Sequence, residues 1–351
     1  MNRRHLSPLL TFIFLAACSG KPVVQKVEGG TDSLPSDLRS KFEVVSSDTP
    51  APKPSPSPAP KPSPSPTPEP RGKRKHQKRA SAKRVEKPKA AAPFVFLSRR
   101  PKADPIWVGE KETLEVTYIG LAAGDFTMEA LPPKKIGERD VYHLKGTVKS
   151  SAVLNLFYRL DDMIESFWDY EGLFSHRFHM TLDETKQTRD VLELFDPQAK
   201  KAFYWNRRNQ PDKPPVESKE YFDMVPFAQD SLTAVYYLRT LPLRDGETYT
   251  FPVVSEGKGW DCVVTVMRRQ MMDTPLGRVQ TVVVAPQTRY NGVLKQEKGE
   301  GMIWLTDDDR RFVIRLEAKV KIGTILAQAK KIELGIKPAE PVPSSIPAQN
   351  Q

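Results

Sequence analysis

Cys18 is the residue whose type and position most directly predict a chemistry. It ends the run Leu-Ala-Ala-Cys at 15–18, which follows a short basic stretch and an apolar stretch at 6–15. About ten apolar residues are too few to span the roughly 30 Å hydrocarbon core of a bilayer, so residues 1–17 are typical of a removable signal peptide. Because a cysteine thiolate is a nucleophile, the pattern predicts that Cys18 takes a lipid group as a thioether.

The lipid on Cys18 predicts where the protein is held. At about 0.8 kcal/mol per buried methylene, one acyl chain binds a membrane weakly, whereas several chains, palmitate among them, hold it firmly. Ser19 stands where an aspartate would favour the inner membrane. We therefore expect a cell-envelope lipoprotein, anchored in the outer membrane and facing the periplasm. The alternative is an ordinary secretory signal that ends in a cysteine by chance.

Two groups of acidic residues could do metal or acid–base chemistry. The three aspartates at 307–309 could bind a hard cation, but they lack the spaced ligands of a calcium loop. We expect them in a hairpin turn, where carboxylates accept hydrogen bonds from backbone N–H groups. Glu165 and Asp169 fall on a strand predicted at 162–170 and could form a carboxylate pair of the kind that glycosidases use.

Other nucleophiles and ligands lack the partners that catalysis or metal binding needs. His176 and His179 lie three residues apart on a predicted strand, so they point to opposite faces and share no metal. Ser231 is outside any glycine-flanked nucleophile elbow and, with Asp230, is a candidate helix N-cap. Cys262 is expected as a small buried side chain. We predict no catalytic residue, no metal site and no cofactor.

Positive charge is concentrated in one segment. The chain has a formal net charge of +11, and residues 71–89 supply most of it, with ten Lys or Arg against the single acid Glu86. This segment could bind peptidoglycan or another anionic envelope polymer, or lipid headgroups; a solubilising spacer is the alternative. Nucleic acid is an unlikely partner because no aromatic side chain is present for bases to stack on. The candidate binding residues are Arg71, Lys73, Arg74, Lys75, Lys78, Arg79, Lys83 and Arg84.

Proline dominates the segment before the basic run. Eleven of the twenty-one residues at 50–70 are proline, in strict alternation. Proline fixes φ and removes a hydrogen-bond donor, which favours an extended polyproline II rod of about 65 Å at about 3.1 Å per residue. We predict a disordered tether at 18–49, this rod, and a basic linker at 71–93. Together they would separate the lipid from the folded domain.

Residues 94–338 have the pattern of a folded β-rich domain, with a disordered tail at 339–351. About a dozen short segments, such as 114–118 and 142–148, alternate apolar and polar residues between turn signals. They predict a mainly β fold: a large antiparallel curved sheet, a sandwich or a partly open barrel. One segment, about 230–241, has the apolar spacing of a helix that packs on the sheet.

Aromatic residues are frequent in the middle of this domain. A curved antiparallel sheet often encloses an apolar cavity, and aromatic walls would suit a lipid or a glycan. Packing of the core explains the same residues without a ligand. These residues are Trp168, Tyr170, Phe174, Phe178, Tyr204 and Trp205.

Several stretches of the domain resemble one bacterial family. Residues 108–118, 120–124, 230–239 and 301–316 resemble a family of exported proteins, domain of unknown function 3108, and the last stretch is the most specific, with a strand, an acidic turn and a second strand. The resemblance covers about 105–335. It implies an exported β-rich domain of the cell envelope and carries over no catalytic residue.

These patterns favour a non-catalytic cell-envelope lipoprotein whose stalked β-rich domain binds a lipid, a glycan or an envelope protein. Two alternatives stay open. One is an envelope hydrolase that acts on glycan or lipid, with Asp307, Asp308 or Glu165 as acid and base. The other is a structural tether in which the basic segment binds peptidoglycan.

Overall fold

The computed structural model describes residues 34–46, 95–290, 293–295, 301–319 and 323–337. The signal segment, Cys18, the proline-rich and basic segments and the C-terminal tail lie outside these residues. The described part contains three helices, which are α1 (Ser36–Lys41), α2 (Ala152–Asn155) and α3 (Ser231–Thr240).

Sixteen strands make up most of this described part. The first nine precede α3 and are β1 (Val44–Ser46), β2 (Val108–Tyr118), β3 (Leu121–Ile136), β4 (Arg139–Ser150), β5 (Asp161–Asp169), β6 (Ser175–Glu184), β7 (Gln187–Asp196), β8 (Lys201–Asn209) and β9 (Val216–Asp223). The others follow α3 and are β10 (Thr248–Ser255), β11 (Lys258–Thr274), β12 (Gly277–Tyr290), β13 (Val293–Lys295), β14 (Gly301–Thr306), β15 (Val313–Lys319) and β16 (Thr324–Ile336).

The strands form one antiparallel sheet whose order follows the chain closely. From one edge to the other it runs β10-β11-β12-β14-β15-β16-β2-β3-β4-β5-β6-β7-β8-β9, and β1 and β13 pair with β3 and β12 beside this path. Neighbours in this order are consecutive in the chain except where β12 pairs with β14 and where β16 pairs with β2, which joins the end of the domain to its beginning. The prediction of a mainly β fold with one large antiparallel sheet is confirmed.

The sheet rolls up until its two ends approach each other. The turn between β10 and β11 reaches β7, where Gly257 N donates to Glu193 Oε1 at 3.0 Å. The chain before α3 fills the remaining gap, since Gln229 N donates to Pro252 O and Gln229 O accepts from Val254 N. The result is a partly open barrel.

Helix α3 occupies the inside of this barrel. The carboxylate of Asp230 accepts from Leu232 N and Thr233 N, so Asp230 is the N-cap and Ser231 is the first helical residue. Eight of the ten residues of α3 are buried. The predicted helix is confirmed, and the rolled sheet explains why it is buried nearly all round rather than on one face.

Residues 34–46 pack on the domain, so the prediction of a disordered tether over 18–49 is wrong for this part. Strand β1 pairs with β3 from Val44 opposite Ile136 to Ser46 opposite Lys134. Leu34 before α1, Leu38 within it and Phe42 after it are spaced four residues apart, so they lie on one side of the segment. This pattern is only two turns long, too short to stand out in a polar segment. The packed cluster consists of Leu34, Leu38, Phe42, Leu192, Leu194, Phe203 and Trp205.

The pairing of β1 with β3 changes the predicted order of Cys18, the proline-rich segment and the folded domain along the chain. The chain leaves the domain after Ser46 and is back on it near Phe96, whose ring stacks on Phe174 with centroids 5.9 Å apart. The proline-rich segment at 50–70 and the basic linker therefore begin and end on the domain. They do not lie between Cys18 and the first packed residues as predicted; along the chain, residues 19–33 do.

The central helix gives a direct test of the core. Leu238 of α3 is 2% exposed, and we expect Leu238→Ala to lower the free energy of unfolding by about 2–5 kcal/mol, because it leaves a cavity that the sheet cannot close. Leu156, after α2, is 79% exposed, and Leu156→Ala should change stability by less than about 0.5 kcal/mol. Urea unfolding followed by circular dichroism measures both; equal losses would contradict the enclosed helix.

Candidate functional site

A buried guanidinium joins α3 to the sheet. Arg239 is 2% exposed, and its Nη1 lies 2.6 Å from Glu110 Oε1 and 3.4 Å from Glu112 Oε1. Its Nη2 donates to Glu110 Oε2 at 3.1 Å. Because an isolated buried charge is very unfavourable, these two glutamates on β2 fix the position of the helix inside the barrel.

The charges in this network control each other's protonation. Burial alone would lower the pKa of Arg239, but Glu110 and Glu112 outweigh burial and raise it. Burial raises the pKa of Glu112 to about 7, against the opposing effect of Arg239. Glu112 Oε2 also accepts from Val313 N at 2.6 Å, so the network extends from β2 to β15.

Arg310 covers the network on its outer side. Its Nη2 donates to Glu110 Oε2 at 2.7 Å, and its Nε donates to Pro105 O at 2.9 Å. The guanidinium carbon lies 3.6 Å from the centre of the Trp107 ring, a cation–π contact. Arg310 therefore connects the turn between β14 and β15, in which it lies, to the segment before β2.

Beside Arg310 the surface forms a groove of about 580 Å³. This volume is within the range of small-molecule sites, which are largely apolar with a few polar groups. Leu276 and Leu334 at its rim are 39% and 60% exposed, so apolar surface faces solvent here. The residues that line the groove are Trp107, Leu276, Val279, Thr306, Asp308, Arg310, Phe312, Ile314, Ile332 and Leu334.

The acidic turn at 307–309 shapes one side of the groove. Asp308 Oδ1 accepts from Thr306 Oγ1 at 2.7 Å, from Arg310 N at 3.0 Å and from Arg311 N at 2.9 Å. Asp307 accepts from Arg269 Nε at 2.9 Å. The prediction of a hairpin turn held by carboxylates is confirmed, and it is Asp308 that holds the turn.

The structure does not bring Glu165 and Asp169 together as a catalytic pair. Glu165 Oε1 lies 3.0 Å from His143 Nε2, whereas Asp169 is bound by Arg139 and by His176. Burial alone would raise the pKa of Asp169, but these hydrogen bonds and one from Gly172 N lower it to about 2. Asp169 is thus a charged structural residue at the end of β5.

The histidines and the cysteine also have separate roles. His176 is buried against Asp169 at 2.8 Å, and His179 lies 3.1 Å from Asp190 on β7. A register shift between β5 and β6 leaves His176 unpaired beside Arg177, so the strict alternation behind the prediction of opposite faces does not hold between the two histidines. Cys262 is 2% exposed, and burial raises the pKa of its thiol to about 12. This fits the prediction of a small buried side chain.

Most of the aromatic residues considered as cavity walls are core. Trp168, Phe174, Phe178 and Tyr204 are all buried, and Trp168 Nε1 donates to Gln229 Oε1 at 2.7 Å. Trp205 packs with α1, and Tyr170 is partly buried. The interior that they surround is filled by α3.

Two carboxyl groups have a burial and a raised pKa that the sequence does not predict; it indicates Asp230 only as an N-cap and does not single out Glu193. Asp230 is 0% exposed, and burial raises its pKa to about 6 although Ser166 and Ser175 donate to it. Glu193 is 1% exposed, and its Oε2 has no hydrogen-bond partner in the described part of the chain. Burial raises the pKa of Glu193 to about 8. Alternating strand patterns place such residues inside, but they do not show which partners they meet.

No metal site is formed within the described ranges, where three or more His, Cys, Asp or Glu side chains nowhere converge. Likewise, none of the helices described is long and apolar enough to cross a membrane. Cys18 and the basic residues from Arg71 to Arg84 lie outside the structure that is described, so their predicted roles stay predictions.

The family model described as "Protein of unknown function (DUF3108)" matches residues 113–330. The chain belongs to the DUF3108 family. The resemblance seen in the sequence over 105–335 is thereby confirmed, and the family match spans the strands from β2 to β16 together with α3. No curated protein matches the chain.

Three solved structures are similar to this chain at low identity and low TM-score. A β-barrel-like DUF1849 protein from Brucella abortus is 11% identical, with a TM-score of 0.42 over 65% of this chain and 98% of that one. A candidate lipoprotein from Parabacteroides distasonis is 7% identical, with a TM-score of 0.29 over 68% and 100%. A candidate exported protein with a YmcC-like fold from Bacteroides fragilis is 12% identical, with a TM-score of 0.26 over 69% and 100%.

The raised pKa of Glu193 gives a pH-dependent stability. In the folded protein the pKa of the Glu193 carboxyl is about 8, whereas its ordinary pKa is 4.5. The contribution of this protonated carboxyl to the free energy of unfolding is therefore complete below pH 4.5 and is lost as the pH rises to about 8. We expect Glu193→Gln, which stays neutral, to be as stable as the parent near pH 5 and more stable by a few kcal/mol at pH 8, at about 1.4 kcal/mol per pKa unit.

Chemical unfolding at both pH values measures this difference between Glu193→Gln and the parent. Other buried carboxyl groups change both proteins equally, so the comparison isolates Glu193. The matched control is Glu220→Gln on the exposed face of β9, which should leave the pH profile of stability unchanged. An equal gain at both pH values would contradict a protonated Glu193.

Proposed function

We propose that this DUF3108 protein is a non-catalytic lipoprotein of the cell envelope whose β-rich domain binds a lipid molecule in the groove beside Arg310. The lipid on Cys18 holds it in the outer membrane on the periplasmic side. The groove is the observation that carries the proposal, since it exposes apolar walls on a rigid sheet.

The chemistry of the groove suits one apolar chain with a polar end. Val279, Ile314 and Ile332 supply apolar surface from three different strands. Arg310 and Asp308 lie at one side of the groove and give it polar groups that can orient a ligand. A glycan would need many more hydrogen-bond partners than these walls supply, which favours an acyl chain.

The proposed location in the outer membrane is inferred from the run at 15–18 and from Ser19. We expect Cys18→Ala to move the protein from the membrane fraction to the soluble periplasmic fraction, and to abolish incorporation of a labelled palmitate analogue. Ser19→Ala is the control, because it leaves the thiol in place. Labelling that survives Cys18→Ala would show that the anchor lies elsewhere.

The groove is tested by filling it. We expect Val279→Trp to lower the affinity for a fluorescent fatty acid by at least about tenfold, since the indole takes up the volume that the chain needs; tenfold corresponds to about 1.4 kcal/mol. Fluorescence titration of the full mature chain measures the affinity. Native mass spectrometry of the same protein shows whether a lipid comes with it from the cell.

The matched control for the groove is Val216→Trp. Val216 is 56% exposed on the edge strand β9, so a tryptophan there adds the same side chain without filling the groove. Equal affinities of both variants would contradict the groove as the lipid site. If native mass spectrometry finds a glycan or a protein fragment bound to the protein instead of a lipid, the proposed ligand class is wrong.

A further inference from the structure

Five large apolar side chains are exposed together at the end of the barrel opposite the groove. Ile119 and Leu121 come from the turn between β2 and β3, and Val153, Leu156 and Phe157 come from α2 and the residues after it. They are between 61% and 79% exposed. We call these five residues the apolar tip; single exposed hydrophobic residues are common, but a cluster of this kind marks an interaction surface.

Hydrogen bonds join the two parts of the apolar tip, which are the region of the β2–β3 turn and the region of α2. Ser151, the N-cap of α2, donates its hydroxyl to Ala122 O at 2.9 Å, and its N–H donates to Ala123 O at 2.8 Å. These two acceptors directly follow Leu121 in β3. The helix and the turn are therefore side by side on a rigid support.

The turn between β2 and β3 keeps an isoleucine where its backbone is strained. Ile119 has φ of 51° and Gly120 has φ of 76°, so both residues of this two-residue hairpin are left-handed, as in a type I′ turn. Asn or Gly is favoured at the first position, and a β-branched residue there is an outlier. An apolar side chain is thus placed at the extreme end of the barrel at a cost in local stability.

Backbone groups of α2 and of the residues after it are hydrogen-bonded within the tip itself. Asn155 N donates to Ser151 O, Phe157 N donates to Leu154 O and Tyr158 N donates to Leu154 O, at 2.7 to 2.9 Å. A segment that enters hydrocarbon must satisfy its polar backbone groups internally, because no water is present there. A protein partner could supply hydrogen-bond partners for such groups, whereas hydrocarbon cannot.

Basic residues flank the apolar residues of α2 in the sequence and in the structure. Lys149 precedes α2 with its side chain 69% exposed, and Arg159 follows Phe157 with its side chain 45% exposed. Cations of this kind extend to the headgroup level while apolar neighbours insert more deeply. Lys149 pairs with Asp161, and Arg159 pairs with Asp161 and Asp183, so two carboxylates balance these two cations and the tip has no preference for anionic lipids.

The apolar tip is far from the groove and from the described residues that precede β2. Strand β2 runs from Val108, next to the groove residue Trp107, to Tyr118, next to the tip. Eleven residues at about 3.3 Å each separate the two ends by roughly 35 Å. The described residues before β2, 95–107, also lie at the groove end.

We propose that the apolar tip inserts into the surface of a lipid bilayer and docks this end of the barrel on a membrane. The five exposed apolar side chains and the internally bonded backbone that carries them together fit the surface of a bilayer. This contact does not depend on the lipid that we propose for the groove.

The test uses the mature chain with Cys18→Ser, so that no acyl group contributes to binding. We expect this parent to co-sediment with vesicles of phosphatidylethanolamine and phosphatidylglycerol. The double change Leu156→Ser and Phe157→Ser should lower the partition coefficient by at least about tenfold. The matched control, Val216→Ser with Val225→Ser, removes two other exposed apolar residues and should bind like the parent.

A second variant separates insertion from loss of structure. Ile119→Asn replaces a strained residue by one that the turn favours, so we expect a higher melting temperature together with weaker vesicle binding. No general loss of folding gives this combination. Fatty-acid binding in the groove should be unchanged in every tip variant, which keeps this test distinct from the test of the groove.

Three results would overturn the proposal. The first is a parent that binds no vesicles. The second is vesicle binding that survives the tip changes, including binding that needs phosphatidylglycerol and is lost only when the basic residues from Arg71 to Arg84 are neutralised. The third is self-association of the parent that the tip changes abolish, which would assign this surface to a second copy of the chain.

Discussion

The charge of Arg239 has to be neutralised inside the rolled sheet, and the central architecture is arranged around that requirement. Glu110 and Glu112 on β2 bind the guanidinium from one side, and Arg310 binds Glu110 from the other. Removing one partner from such a network leaves an uncompensated buried charge, which costs far more than a surface ion pair contributes. The network therefore fixes α3 inside the barrel and also supports the floor of the groove.

The sequence predicts the parts of the fold that depend on local patterns. Alternation predicts the strands, the spacing of Ala234, Tyr237 and Leu238 predicts α3, and the aspartates at 307–309 predict a turn. The partners of Arg239 lie far away in the chain, and an arginine near a helix C-terminus is usually a solvated residue, so no local signal reveals the network. The groove is missed for the same reason, because Trp107, Val279 and Ile332 meet only after β16 has paired with β2.

The barrel has two chemically different ends. At one end the segment before β2, the acidic turn and Arg310 surround a groove, and charged groups there are paired with one another. At the other end α2 and the β2–β3 turn present apolar side chains with few charges between them. Helix α3 lies buried between the two ends, and the two surfaces share no residue.

The short pairing of β1 with β3 has a mechanical consequence. The chain from 47 to 94 leaves the domain and returns to it, so a pull on the N-terminus does not stretch this segment at first. The load passes through α1 and through three residue pairs between β1 and β3, and only after these contacts break does the proline-rich segment come under tension. The contact between residues 34–46 and the barrel thus sets the force at which the N-terminal part of the chain would lengthen.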